Sequence, residues 1–417
     1  MSPHPAPCPP PPASVHLAVS MAPGTGTGTP PRRTEADRGA SAPGEGKTRE
    51  TRRGALQDSP FLETRFPLTN YERAKMAMGL FTMPARAALF AAAFATAFAH
   101  FYVATLGADL EKPLASWRRQ IVRAACVWCR LVLVPLGFLH IKTRGFEKHY
   151  TKDIRSGKQR VVICINHVSW IDAFLLCIFF QPCSVTKRSI ANLPFLGACV
   201  RAFQPVLVDR VEAASEGADV GTVGAKAGNK AALVVERILD GRYPNMAMAP
   251  EGTTTNGRTV VRFKRGAFVA GVPVLPVVLR YPCKHFNVAW TLRDDNFAFF
   301  RLASQIVNRC EVEVLPLYTP TAAERADAKL YAANVQRLFA AELGEEPSDQ
   351  DLTTQFQLMY HGVRVRNDGV TIDAPEGFVR HGYPYDAPEV LPASSRPTPS
   401  SPPRAPVAAR SRAARAA

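Results

Sequence analysis

Cysteine is sparse and irregular in this chain. Nine thiols run from Cys8 to Cys310, an odd number, and several sit inside apolar runs (Cys164, Cys177, Cys199). That pattern excludes a secreted disulfide framework and reads as reduced, buried small hydrophobes. The one CxxC, Cys126 and Cys129, lacks a second CxxC or a His pair to complete a zinc site. Glycine is scarce as well, 27 of 417 residues, which excludes a collagen-like chain. There is no G-x-S-x-G elbow and no His/Asp cluster with metal spacing, so a serine or metal-dependent hydrolase has little to stand on. RRM, KH, zinc-finger and basic-helix signatures are missing too, and no nucleic-acid partner is expected. Acid is in deficit: 35 Asp+Glu against 51 Lys+Arg leave +16, of which residues 1–60 carry +2 and residues 385–417 carry +3. The remaining +11 belongs to the middle of the chain, which suits an anionic membrane surface or phosphate-bearing substrates.

What is present divides the chain by composition. Twelve of the 36 prolines lie in residues 1–60 and seven in 385–417. Neither end has apolar periodicity, so a disordered Pro-rich tail (1–60) and a disordered basic tail (385–417) are expected. Between them come a membrane-anchoring region (61–145), a catalytic domain (146–345) and a C-terminal extension (346–384). The run Ala87 to Ala108 is 22 residues without a formal charge, enough to cross a hydrocarbon core of about 30 Å as a helix; the alternative is a buried Ala-rich core helix. A second apolar stretch, Ala124 to Ile141, is interrupted by Arg130 and Pro135 and fits a re-entrant or interfacial helix. Basic residues flank the first helix on both sides, so charge does not settle its orientation. From Arg160 onward, short β-rich runs alternate with helical patterns, predicting an α/β fold with a mixed, largely parallel sheet flanked by helices. Strands are expected at Val161 to Ile165, Pro205 to Val208, Asn245 to Ala249, Pro273 to Arg280 and Glu311 to Leu317. Helices fit at Ile171 to Phe180, Leu193 to Phe203, Val223 to Leu239, Ala298 to Asn308 and Ala322 to Leu343, the last opened by a Thr321/Glu324 capping-box spacing.

Chemistry-bearing residues fall at strand ends. His167 and Asp172 form an HxxxxD where the first of these strands gives way to a helix, and open α/β sheets build their sites at such carboxyl ends. Five residues apart is not one face of a continuous helix. With His167 in the loop and Asp172 in the first turn, the carboxylate can turn back, fix the imidazole tautomer and stabilise the imidazolium formed on proton uptake. Pro250-Glu251-Gly252-Thr253-Thr254-Thr255-Asn256-Gly257 follows another strand, and Gly252 among hydroxyls suits a turn that approaches an oxyanion or phosphate. Arg210, Lys264 and Arg265 can supply positive charge to such a group. Read one at a time, each is equally an ordinary strand-end turn or surface cation.

Taken in order, His167 and Asp172, Leu193 to Arg210, Pro250 to Gly257, and Val272 to Pro276 resemble the four motif blocks of the glycerolipid acyltransferase (PlsC-like) superfamily, over about residues 115–345. PEGTTTNG, FKRGAF, VPVLPVVLRYP and VEVLPLYTP are similar to segments of lysophosphatidylcholine and lysophosphatidylethanolamine acyltransferases. The resemblance implies an acyl-CoA donor, a lysophospholipid acceptor, an endoplasmic-reticulum-type membrane with the catalytic domain facing the cytosol, no bound cofactor and no metal in the chemical step. It also implies His167 as catalytic base with Asp172 as partner, and Arg210, Glu251, Gly252 and Thr253 as binders of the phosphoglycerol part. No EF-hand loop follows residue 345, so calcium regulation of that kind is not expected. The competing expectations are a lysophosphatidic acid acyltransferase, a lipid-ester hydrolase, and a non-catalytic membrane-binding protein.

Overall fold

The computed structural model describes residues 56–208 and 225–374. Arg210, most of the expected N-terminal tail and the whole of the expected C-terminal tail lie outside the described residues. Seven strands, β1 (Ile141–Arg144), β2 (Val162–Ile165), β3 (Cys183–Lys187), β4 (Val206–Val208), β5 (Met246–Met248), β6 (Val274–Arg280) and β7 (Cys310–Val314), form one sheet. Their spatial order is β1-β7-β6-β2-β5-β3-β4, and every pairing is parallel except β6 with β7. The mixed, largely parallel α/β sheet expected from the sequence is therefore what forms.

The period-2 alternation of side chains feeds two cores. Ile163 and Ile165 point with Leu275, Val277 and Val312 to one face, and Val162 and Cys164 with Val274 and Val278 to the other. On the first face pack the helices α2 (Ser116–Leu133), through Leu133, α3 (Ile171–Phe179), through Ile171 and Leu175, and α6 (Asp295–Ala303), through Leu302. On the second pack α5 (Ala225–Leu239), through Val234 and Ile238, and α7 (Ala328–Leu343), through Tyr331, Val335 and Phe339. Burial on both faces explains why the central strands read as near-continuous apolar runs.

Several boundaries differ from expectation. The helix expected at Ala298 to Asn308 is α6, opened one turn earlier by Asp294, whose side chain accepts from Phe297 N–H. The last expected helix is two: Ala322–Ala326, with its Thr321/Glu324 capping box, and α7, separated by Asp327 in extended conformation. β1 and β3 were not anticipated. The short helix α4 (Leu196–Arg201) lies within its expected range.

The first apolar run belongs to a longer helix, α1 (Asn70–Thr105), of 36 residues. At 1.5 Å per residue it is about 54 Å long, more than a hydrocarbon core of about 30 Å. It is long and apolar enough to cross a membrane. It pairs with α2 through Ala97, Phe101 and Ala104 against Val122, Ala125 and Cys129. Two arginines in this hairpin satisfy backbone carbonyls: Arg118 donates to those of Ala104 and Leu106 (2.9 and 2.8 Å) at the end of α1, where a helix leaves carbonyls without partners, and Arg130 to those of Phe138 and Leu139 (2.9 and 2.8 Å) in the segment before β1.

One face of the first half of α1, through Glu72, Lys75 and Gly79, is instead buried against the α/β domain. Glu72 accepts from Arg301 Nε (3.0 Å) and pairs with Lys75 Nζ (2.5 Å), and Lys75 also donates to Gln305 (2.5 Å). Arg86 reaches the carbonyls of Ala303 and Gln305 at 2.9 and 2.8 Å, and Gly79 lies so close that a Cβ there would sit 2.7 Å from Ser304 Oγ. Removing one partner of a buried ion group leaves the others uncompensated, at a cost of about 3–5 kcal/mol. Glu72→Ala is accordingly expected to lower stability by an amount of that order in a thermal or denaturant titration of the detergent-solubilised chain; a change below about 1 kcal/mol, as for a surface pair, would contradict the network.

Candidate active site

Three neighbouring parallel strands, β5, β2 and β6, each deliver a titratable residue just past their carboxyl ends: Glu251, His167 and Tyr281. Asn166 pins the β2 exit to β6 through bonds in both directions with the backbone of Leu279 (2.9 and 2.8 Å). The chain then turns, and Ser169 Oγ accepts from Ile171 N–H at the start of α3. Asp172, second residue of that helix, folds back. Its Oδ2 accepts from His167 Nδ1 at 2.8 Å and from the backbone N–H groups of Val168 and Ser169 at 2.8 and 3.0 Å, and its Oδ1 accepts from the Tyr281 hydroxyl.

The electrostatic consequence follows from donor and acceptor counting. Asp172 is fully buried and meets only donors, so Nδ1 of His167 carries the ring proton and Nε2 keeps its lone pair. His167 itself is 29% exposed, Asp172 0%; the base is reachable and its partner is not. Burial and the adjacent Asp172 push the Tyr281 phenol well above its ordinary range, so it stays a donor. Sequence reasoning missed Tyr281, which lies at the first position after β6, just past the strand expected at Pro273 to Arg280.

The PEGTTTNG loop closes the other side. Glu251 is buried, accepts from the His167 backbone N–H and from Thr255, and leaves Oε2 without a partner among the described residues. Burial pushes its carboxyl well above the ordinary range, and the nearby Asp172 adds to the effect, so the neutral acid is favoured. Gly252 is exposed at φ 72°. A Cβ there would stand 2.9 Å from Lys264 Cε, so the absence of a side chain is what lets Lys264 lie across the turn. Thr253 is buried and its hydroxyl donates to Gln355 of α8 (Leu352–Tyr360). Thr254 Oγ1 donates to the Trp290 carbonyl (2.6 Å), and Thr255 N–H to that of His167 (2.9 Å). Of the residues expected to contact phosphoglycerol, Gly252 and Lys264 are thus placed together at the turn, whereas Glu251 and Thr253 support it from below. The Gly252 N–H donates to the Ala249 carbonyl (3.0 Å).

The end of the stretch expected as tail takes part in this support. Leu56, Ser59, Phe61 and Leu62 are buried. Asn256 donates to the carbonyls of Ser59, Pro60 and Leu62 (3.1, 2.7 and 3.0 Å), and Leu292 N–H to Phe61 (3.0 Å). No group of three or more His, Cys, Asp or Glu suited to a metal ion occurs among the described residues.

An α/β sheet with a His/Asp pair at its carboxyl edge is the architecture; comparison with known proteins supplies the class. The acyltransferase family model matches residues 140–280, which hold His167, Asp172, the PEGTTTNG loop and Lys264, and this segment is an acyltransferase-family domain. The chain is 33% identical over 252 residues to a Drosophila melanogaster lysophosphatidylcholine acyltransferase, covering 60% of this chain and 44% of that protein. It is 40% identical over 181 residues to the Arabidopsis thaliana lysophospholipid acyltransferase LPEAT1, covering 43% and 44%. A solved structure, the 1-acyl-sn-glycerophosphate acyltransferase PlsC from Thermotoga maritima, aligns at a TM-score of 0.40 and 14% identity, over 66% of this chain and 97% of that one. The chain spans about half the length of the curated relatives it matches.

Two outcomes are expected from this geometry. A carboxyl raised on folding makes the folded state bind more protons than the unfolded one, so stability falls as pH rises from the ordinary Glu range towards the raised value. Glu251→Gln, which mimics the neutral acid, should remove that decline when unfolding midpoints are compared between about pH 4 and 8; identical slopes would refute a neutral Glu251. Tyr281→Phe deprives a buried carboxylate of one donor, a loss of about 1–3 kcal/mol. It should lower the unfolding midpoint and reduce turnover about tenfold with substrate KM values little changed, and unaltered turnover would relieve Tyr281 of a role in holding Asp172.

Proposed function

We propose that this chain is an acyl-CoA-dependent lysophospholipid O-acyltransferase, with lysophosphatidylcholine or lysophosphatidylethanolamine as acceptor, acting at an endoplasmic-reticulum-type membrane with its catalytic domain on the cytosolic side. The observation that carries this reading is the His167–Asp172 pair at the carboxyl edge of the sheet, a buried four-donor carboxylate behind a reachable imidazole. Nε2 of His167 takes the proton from the acceptor hydroxyl as its oxygen attacks the thioester carbonyl carbon. Asp172 stabilises the imidazolium that results. The tetrahedral intermediate collapses by breaking the C–S bond, and the thiolate leaves, recovering the proton from His167. A thiolate is a good leaving group, so no acyl-enzyme is required, and Ser169, committed to the start of α3, is not called on as nucleophile.

In this reading Arg210 and Lys264 attract the acceptor phosphate at the turn that Gly252 keeps open, while Glu251 and Thr253 keep the loop in shape. General base catalysis is worth about 10²- to 10⁴-fold. In an assay of purified protein with labelled acyl-CoA and a panel of lysolipids, His167→Ala should lose at least about 10²-fold in transfer while remaining bound to membranes. Wild-type turnover in that variant would remove the base assignment. Fatty acid released from intact phospholipid without transfer would replace the acyltransferase reading with a hydrolase.

A further inference from the structure

A cavity of about 370 Å³ lies away from the PEGTTTNG turn. It lies on the opposite side of the dyad, between the β6 exit, the segment leading into β7 and the first turns of α1. Tyr281 forms part of its wall while its hydroxyl donates to Asp172, so the cavity is one side chain away from the reacting pair. Its lining contains Lys75, Lys284, His285 and Arg309 and no Asp or Glu among the described residues. Lys75 is partly neutralised by Glu72. Lys284 and Arg309 are exposed and have no ion-pair partner among the described residues. Ile306 and Val307, more than half exposed, add an apolar wall.

Two cations without partners, a third held at the base and a histidine, converging on a concave space with no acid, form a site for a multiply charged anion. We propose that this cavity binds a phosphate ester of a transfer substrate, an inference that rests on the acyltransferase reading above. Both substrates carry phosphate, and two features favour the thioester. CoA bears a pyrophosphate and a phosphate monoester, against a single phosphodiester on the lysolipid. The cavity is also bounded by Tyr71 and Lys75, whereas the uncharged stretch of α1 begins at Ala87, about 18 Å further along at 1.5 Å per residue. A ligand arriving from water meets it without crossing the apolar end of that helix. The assignment separates the two reactants: donor phosphates on the Tyr281 side of the dyad, acceptor phosphate on the Gly252 side.

The test uses the full chain in detergent micelles. Equilibrium binding of CoA and of dephospho-CoA is measured by calorimetry, and KM values for acyl-CoA and lysolipid by transfer, for wild type and for the Lys284→Ala, Arg309→Ala double variant. Both positions are exposed and the fold should survive, which the unfolding midpoint checks. The expected result is a CoA Kd and an acyl-CoA KM raised about tenfold or more, an unchanged lysolipid KM, and a loss of the preference for CoA over dephospho-CoA. A raised lysolipid KM with unchanged CoA affinity retains the phosphate-ester site and assigns it to the acceptor headgroup. Unchanged affinity for both substrates overturns the proposal. Because CoA binding is read without turnover, a chain that transfers normally but binds CoA independently of Lys284 and Arg309 refutes the cavity alone. A chain that binds CoA through them yet transfers nothing refutes the catalytic reading alone.

Discussion

The arrangement of this domain depends on how one buried carboxylate is satisfied. Asp172 carries a charge into a site with no water-exposed surface, which is tolerable only because four donors reach it. Two of those donors are the N–H groups of Val168 and Ser169, so the loop cannot change shape without exposing them. A third, Tyr281, comes from a different strand and ties the loop to β6. The fourth is the imidazole, whose tautomer is thereby decided before any substrate arrives. Asn166 repeats the same logic one residue before His167, spending a side-chain amide on the backbone of Leu279. The site is rigid because its polar groups have nowhere else to go.

The matched segment 140–280 stops one residue short of Tyr281, and much of what steadies the PEGTTTNG loop lies further away in sequence. Residues 56–63 receive the Asn256 and Asn287 side chains. Gln355 takes the Thr253 hydroxyl, and Arg262 pairs with Asp351. Leu56, Phe61 and Leu62 join Val261, Leu358, Val363 and Val365 in a small core of their own. Two flanking segments, one before α1 and one after α7, clasp the same turn from outside. Thr253 and Glu251, which the resemblance implies as substrate contacts, are buried inside that clasp.

The legible parts of the fold are those where local and global preferences agree. Strands β2 and β6 combine β-branched residues with burial on both faces, and the Thr321/Glu324 box is a local hydrogen-bond pattern that needs no tertiary help. β1 and β3 read IKTR and CSVTK, short and polar, and become strands only because β7 and β5 offer them partners. Asp327 ends one helix and caps the next, a dual role that the apolar period through Ala322 to Leu343 conceals. The spacing of His167 and Asp172 suggested their contact because only four residues separate them. Tyr281 lies 109 residues from Asp172, and no local pattern announces a partner at that distance. Leu56 to Leu62 are too few and too irregular to read as a core segment.

The long helix α1 joins two environments that have opposite requirements. Its inward face is continuous: Glu72, Lys75, Gly79, Met83, Arg86, Phe90, then Ala93, Ala97, Phe101 and Ala104, spaced at three and four residues. Over the first half that face is polar and close-packed against Arg301, Ser304 and Gln305; over the second it is small and apolar against α2. Arg301 also donates to the carbonyls of Phe66, Pro67 and His285 (3.0, 3.2 and 3.0 Å), so a single guanidinium links the entry to α1, the α6 helix and the loop that follows Tyr281. The first half of α1 is thereby fixed to α6 and to the loop after Tyr281 by buried charge, and it cannot shift against them without breaking Glu72 from Arg301.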